Sequence, residues 1–250
     1  MNERDIAKGF SGLWTEFFPM LSPTFVIAFN EAFVRPILGR DGIVSAVKLT
    51  SPSHRPDVLA EFAFRFAAAS YEAGVPVKVA ARNEALMTAA FGAAVKRVRE
   101  LRPNLSADEP FLDEGEQLEG VRLALVYDEF VELWPATEAV VFSPAVKGSG
   151  VLGQCLADLA IGKTLYEVKT VSRPFHSRDL RQLLIYFALQ AVTGEKRWEY
   201  GGLLNPRMAL FCTFSIDWLV MRLSGGRPPN LVFPDFLQAL SRDSVLDRRF

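Results

Sequence analysis

The sequence predicts an α/β protein, a mixed sheet flanked by helices and preceded by a helical N-terminal region. Three observations carry this. Up to about residue 105 apolar residues recur at helical spacing. Beyond Pro135 the rhythm changes to short strand-like segments. From there the order is helix, three strands, helix, two strands, which is the interleaving of an α/β fold.

Taken in order, residues 6–38 are apolar and aromatic (Phe10, Trp14, Phe17, Phe18, Phe25, Phe29, Phe33), with Pro19, Pro23 and Pro36 as breaks that leave the individual elements unassigned. Residues 57–73 place Leu59, Phe62 and Phe66 at helical spacing, and 83–101 start at a capping Asn83 and end in Lys96, Arg97 and Arg99, which suit a helix C-terminus. The polar stretch 102–110, with two prolines, reads as a boundary between a region 1–105 and a domain 106–250. A helix is expected over about 114–134 and strands over 139–143, 156–161 and 164–171. A helix over 177–192, strands over 201–204 and 208–214, and a helix from about Ile216 complete the chain.

The 250 residues are half hydrophobic, enough for a sizeable core in one elaborated domain or two small ones. No apolar run approaches the roughly 18 residues needed to span a bilayer, and the opening residues lack signal-peptide architecture, so a cytoplasmic protein without membrane contact is expected. Cys155 and Cys212 read as separate buried thiols. With His54 and His176 as the two histidines, chemistry built on several imidazoles is excluded, and acids and lysines must do the work. A net charge of −1 provides no global pull toward nucleic acid, so phosphate binding has to be local. Arg173, Arg178, Arg181, Lys196, Arg197 and Arg207 gather after the strands, as a phosphate patch or a solvated face.

Gly162-Lys163, between two alternating segments, fits a two-residue type II′ hairpin turn, which places glycine first. That turn fixes the register: Ile161 faces Thr164, Ala160 faces Leu165, Leu159 faces Tyr166 and Asp158 faces Glu167. Alternation then sets Glu167 and Lys169 on one face and Tyr166, Val168 and Thr170 on the other. Two carboxylates directly opposed across strands repel, and a divalent cation relieves the repulsion. Two carboxylates, a backbone carbonyl and waters form the hard oxygen setting that Mg²⁺ prefers.

Asp158, followed after eight residues by Glu167-Val168-Lys169 and then by a helix carrying Gln182 and Tyr186 four apart, resembles the PD-(D/E)XK nuclease superfamily, over roughly residues 114–214. Ala157 stands where the name-giving motif has proline, a position without a chemical role. The resemblance implies a restriction-endonuclease-like core over 106–250 and a Mg²⁺- or Mn²⁺-dependent endonuclease that hydrolyses phosphodiesters, DNA ahead of RNA. It assigns metal binding to Asp158, Glu167 and the Val168 backbone carbonyl, water positioning or charge stabilisation to Lys169, and support to Gln182. An acid on the helix before the sheet, Glu129 or Asp128, is a further ligand candidate, and Tyr186, His176 and Arg207 are accessory candidates. The weak net charge and the helical region 1–105 point to targeting by a protein partner such as a helicase or ATPase, or by a homo-oligomer, as in bacterial restriction and antiviral defence systems.

Competing readings belong beside this one. Residues 157–164 also spell A-x-x-x-x-G-K-T, a relaxed nucleotide-binding P-loop, although a P-loop must open a helix and the following residues alternate like a strand. A nuclease-like fold serving as a silent binding or assembly module is the other alternative. Lys147-Gly148-Ser149-Gly150 is a ligand loop or a plain turn, Trp198 beside Lys196 and Arg197 a stacking patch or a rim residue, and Phe62 and Phe66 a base-gripping pair or core.

Overall fold

The computed structural model describes residues 2–48, 55–101, 112–195 and 197–247. His54, Lys196 and the expected boundary at 102–110 lie outside these described residues. Three helices open the chain, α1 (Glu3–Lys8), α2 (Ser11–Phe17) and α3 (Pro23–Phe33), followed by short strands β1 (Arg35–Pro36), β2 (Leu38–Gly39) and β3 (Gly42–Ile43). Helices α4 (Pro56–Glu72), α5 (Val77–Ala80), α6 (Glu84–Leu101) and α7 (Glu114–Val131) come next. Strands β4 (Val140–Phe142), β5 (Ala145–Val146), β6 (Cys155–Leu156), β7 (Leu159–Ile161) and β8 (Thr164–Val168) lead into α8 (Ser177–Thr193). Strands β9 (Tyr200–Asn205) and β10 (Leu210–Ser215) and helices α9 (Ile216–Leu223) and α10 (Pro229–Asp247) end it.

Six strands form one mixed sheet in the order β1-β10-β9-β8-β7-β4. Its one parallel pair, β8 with β9, is joined through α8, since parallel neighbours need a crossover. One core layer unites α1–α3, α8, α9 and α10 through residues such as Trp14, Leu183, Leu184 and Phe236. The other unites α4, α6 and α7 with the opposite face through Phe62, Phe66, Phe130 and Tyr166. Residues before and after position 105 contribute to both layers, and β1 pairs with β10 at the sheet edge. Among the described residues no helix is long and apolar enough to cross a membrane.

Local chemistry explains the main helices. Asp113 caps α7 by accepting the Glu116 N–H at 2.7 Å, while Glu116 accepts the Asp113 N–H at 3.1 Å, a reciprocal capping box. The Asn83 side chain accepts the Leu86 N–H at the start of α6. Phe62 and Phe66 stack at 5.8 Å inside the core, which rules them out as a base grip. Gly202 is required by close approach: a methyl there would overlap the Tyr166 ring.

The hairpin turn is as expected. Gly162 sits at φ +53 and Lys163 is not among the residues of positive φ, the type II′ pattern, and the pairs 161–164, 160–165 and 159–166 follow. Thr164 therefore opens a strand, not a helix, which removes the P-loop reading; Lys163 is an exposed turn residue paired with Glu199 at 2.7 Å. Four other expectations need correction. The strand over 156–161 is two strands broken at Ala157-Asp158, and the one expected to reach 171 stops at Val168. Strand β10 starts at Leu210, because the turn after Asn205 runs on to Ala209 at φ +51. Helix 114–134 stops at Val131, three residues earlier, before Pro135. The long α10, which carries Pro234 inside it, had not been expected at all.

Candidate active site

The site is built where β7 and β8 leave the hairpin. Extended by one residue, the register sets Asp158 opposite Glu167, but the backbone ladder ends at the Leu159–Tyr166 pair. Here the Asp158 carboxylate replaces a backbone acceptor, its Oδ2 taking the Val168 N–H at 2.7 Å, while its carbonyl takes the Ser143 N–H at 2.8 Å. Ser143 adopts φ +53, a conformation rare outside glycine, so the chain opposite Asp158 is bent into place at a conformational cost. Val168 thus serves the site through its N–H, a role the sequence reading did not give it.

Alternation along β8 carries Glu167 and Lys169 to the face covered by α8, as expected. Glu167 is wholly buried, and its Oε1 accepts a hydrogen bond from the Lys169 ammonium. Lys169 Nζ also donates to Gln182 Oε1 at 3.0 Å, and Gln182 Nε2 donates to the Tyr186 hydroxyl at 3.0 Å. The four-residue spacing on α8 stacks Gln182 and Tyr186 on one stripe. Asp158, Glu167, Lys169, Gln182 and Tyr186 are therefore brought together.

The electrostatics follow from burial. Burial first, then the negative charge of Asp158, pushes the Glu167 carboxyl up to about 8, against the pull of Lys169. For Lys169, burial works to lower the value, but the charges of Glu167 and Asp158 outweigh it and hold the group above its ordinary range. Lys169 is therefore a cation. Glu167 Oε2 is buried and has no hydrogen-bond partner, a state that costs free energy unless a cation or donor fills it.

A cleft of about 730 Å³ opens on this floor. Asp158, Val168 and Lys169 line it together with Arg4 and Lys8 from α1, Glu61, Phe64 and Arg65 from α4, and Tyr127 from α7. Arg4 and its neighbour Glu3, which is buried, belong to the surroundings of the acids: Asp158 and Glu167 raise Arg4 against burial, and Glu3 acts on Tyr186, whose hydroxyl is raised by burial and then by Glu167 and Asp158. Sequence reasoning missed these N-terminal residues. The capping Asn2, which accepts the Asp5 N–H at 2.9 Å, was a legible sign of a helix there, but nothing local tied that helix to the hairpin.

The remaining candidates lie elsewhere. Glu129 accepts the Arg40 N–H at 3.3 Å and Asp128 accepts the Val77 N–H at 2.6 Å; since α7 presents Tyr127 to the cleft, the next two residues turn away from it. Arg207 is buried in an ion pair with Glu119, so it does not reach a ligand. His176 takes the cap position of α8, and its N–H binds Asp179 Oδ2 at 2.8 Å. The basic residues are dispersed rather than pooled: Arg173 pairs with Asp179 at 2.8 Å, Arg181 lies 5.3 Å over the Trp14 ring and Arg197 5.9 Å over Trp198. Trp198 is buried, with its N–H bound to Gln190, and is not a stacking platform. Gly148 packs against the backbone of Leu152 and Gly153, which explains that loop as a turn closing on itself. Cys155 and Cys212 are free buried thiols.

Among the described residues no group of three or more His, Cys, Asp and Glu side chains is placed to hold a metal ion. The donor set on offer is Asp158 with Glu167, the latter with one buried oxygen unpartnered. A hard cation would fill the partner position that this buried Glu167 oxygen lacks. Comparison of the chain with protein-family models, with curated proteins and with solved structures returns no match.

Proposed function

We propose that this chain is a metal-dependent nuclease with a restriction-endonuclease-like core, hydrolysing phosphodiester bonds, DNA ahead of RNA. One observation carries the reading: a turn-fixed register brings Asp158, Glu167, Lys169 and Gln182 together, with Asp158 and Lys169 lining a cleft and a buried Glu167 oxygen lacking a partner. Asp158 and Glu167 would hold Mg²⁺ or Mn²⁺, which supplies an acidified water and neutralises developing charge. Lys169, held cationic, does not take a proton; it orients the attacking water and offsets negative charge on the phosphoryl oxygens. Gln182 fixes the ammonium, and Tyr186 fixes the amide. The water oxygen forms a bond to phosphorus as the opposite P–O bond breaks, the water's proton passes to solvent, and the leaving oxygen takes a proton from solvent.

The near-neutral chain lacks the field that concentrates DNA, which supports a cytoplasmic enzyme aimed by a protein partner such as a helicase or ATPase, or by self-association, as in restriction and antiviral defence systems. The second reading, a nuclease-like module without catalysis, is favoured by the two-carboxylate donor set, with Lys169 already seated on Glu167. The test is cleavage of plasmid, single-stranded DNA and RNA in Mg²⁺ or Mn²⁺ by the natural chain, Asp158→Ala and Lys169→Ala. Cleavage abolished in both variants is expected. Cleavage unchanged in both defeats the proposal, and no cleavage by any form favours the silent module.

A further inference from the structure

Arg4 stands out among the cations of the cleft. Arg65 is engaged by Glu61 at 2.7 Å and Ser143 Oγ at 3.2 Å, and Arg97 by Glu100 at 3.4 Å. Arg4 instead has a loose 3.9 Å contact with its neighbour Glu3, and its Nε is buried without a hydrogen-bond partner. Asp158 and Glu167 are nonetheless the main charges that raise its pKa against the opposing effect of burial. A guanidinium thus stands within the field of both acids, on the wall of the cleft that Asp158 and Lys169 line, with a donor unspent.

The element that carries it is fixed. Asn2 caps α1, Ile6 and Ala7 are buried, Trp14 Nε1 donates to the Ile6 carbonyl at 3.0 Å, and Arg181 reaches the Ala7 carbonyl at 3.5 Å. A planar fork on a rigid element suits a tetrahedral phosphate, whose oxygens accept two parallel N–H bonds, better than a lysine's point charge does. Carboxylates alone at the floor would repel that phosphate.

Resting on the nuclease reading, we infer that Arg4 is the group that grips the phosphate to be cut, donating the terminal N–H groups of its partly exposed guanidinium to the non-bridging oxygens. Helix α1 is then one wall of the substrate path and Arg4 a catalytic residue in the sense that it touches the reacting phosphate.

The experiment uses the full chain, a labelled single-stranded DNA oligonucleotide and Mn²⁺, with thermal melts of every variant. Arg4→Met is expected to lower kcat/KM about 100-fold or more, the scale of losing one preorganised donor. Arg4→Lys should recover only part of it, because the fork is lost while charge and stem remain. The Mn²⁺-induced rise in Tm should match that of the natural chain in both variants. An Arg4→Met rate within about threefold of the natural chain overturns the inference and leaves the nuclease reading intact. Should Arg4→Met fail to fold, the Arg4→Lys rate decides in the same way. If the natural chain cleaves nothing, the nuclease reading falls, and oligonucleotide binding judges Arg4 alone: about tenfold weaker binding by Arg4→Met sustains a phosphate grip, and equal binding removes it.

Discussion

The carboxylate of Asp158 accepts the backbone N–H of Val168 at the point where the β7–β8 ladder ends. A side chain has taken over a main-chain role, so the acid is positioned by the sheet itself and not by a flexible loop.

Substitutions at Asp158 should therefore separate structure from chemistry. Asp158→Asn keeps an oxygen for Val168 and should melt close to the natural chain, whereas Asp158→Ala orphans the N–H and should cost about 1–2 kcal/mol in denaturant melts. Both should lower cleavage by at least about 10³-fold, since neither supplies the charge. An active Asp158→Asn contradicts the assigned role.

Glu167 sets a pH signature in metal-free protein. Its folded value, about 8, lies above the ordinary 4.5, so the folded state holds the proton more tightly than the unfolded chain. Its contribution to stability is complete below about 4.5 and is lost as pH rises through about 8. Glu167→Gln cannot ionise and lacks this component, so between about pH 5 and 8 the Tm of the natural chain should fall more steeply than the variant's. Parallel Tm curves would count against the buried, proton-retaining acid.

Tyr186→Phe removes the partner of Gln182 Nε2 inside the core. The expected cost is about 1–2 kcal/mol, with a modest loss of kcat, about three- to tenfold, as the Lys169 ammonium loosens. Steady-state kinetics at saturating substrate distinguish this from a binding defect, which would raise KM instead.

Gly202→Ala drives a methyl into the Tyr166 ring, whose hydroxyl is fixed 2.9 Å from Thr213 Oγ1. Chemical denaturation should show a loss of about 1–3 kcal/mol from overpacking. Arg207→Met removes one partner of a buried ion pair and should cost more, about 3 kcal/mol, without changing the pH profile of cleavage.

Much of this was written in local sequence. Turn chemistry at Gly162-Lys163 gave the hairpin and its register, and alternation plus helical spacing gave the meeting of Glu167, Lys169, Gln182 and Tyr186. What stayed hidden depends on distant contacts. The break at Asp158 is made by Ser143 and Val168 together, and the burial of Arg207 depends on Glu119, some 88 positions away. Glu129 was misplaced because a run of acids on a helix does not declare which one faces the cleft. Arg4 and Glu3 were invisible for the same reason: six residues of helix carry no mark of the sheet they end beside.

Trp14 packs against Phe236 at 4.9 Å, a partner made about 220 positions later, and the same indole bonds the Ile6 carbonyl in the helix that bears Arg4. A ribosome releases the first of these residues long before the last. Helix α1 also packs on α8, with Arg181 reaching the Ala7 carbonyl at 3.5 Å, so its seat is assembled from two segments that emerge after it. The wall of the cleft that bears Arg4 therefore forms only once segments far apart in the sequence have met.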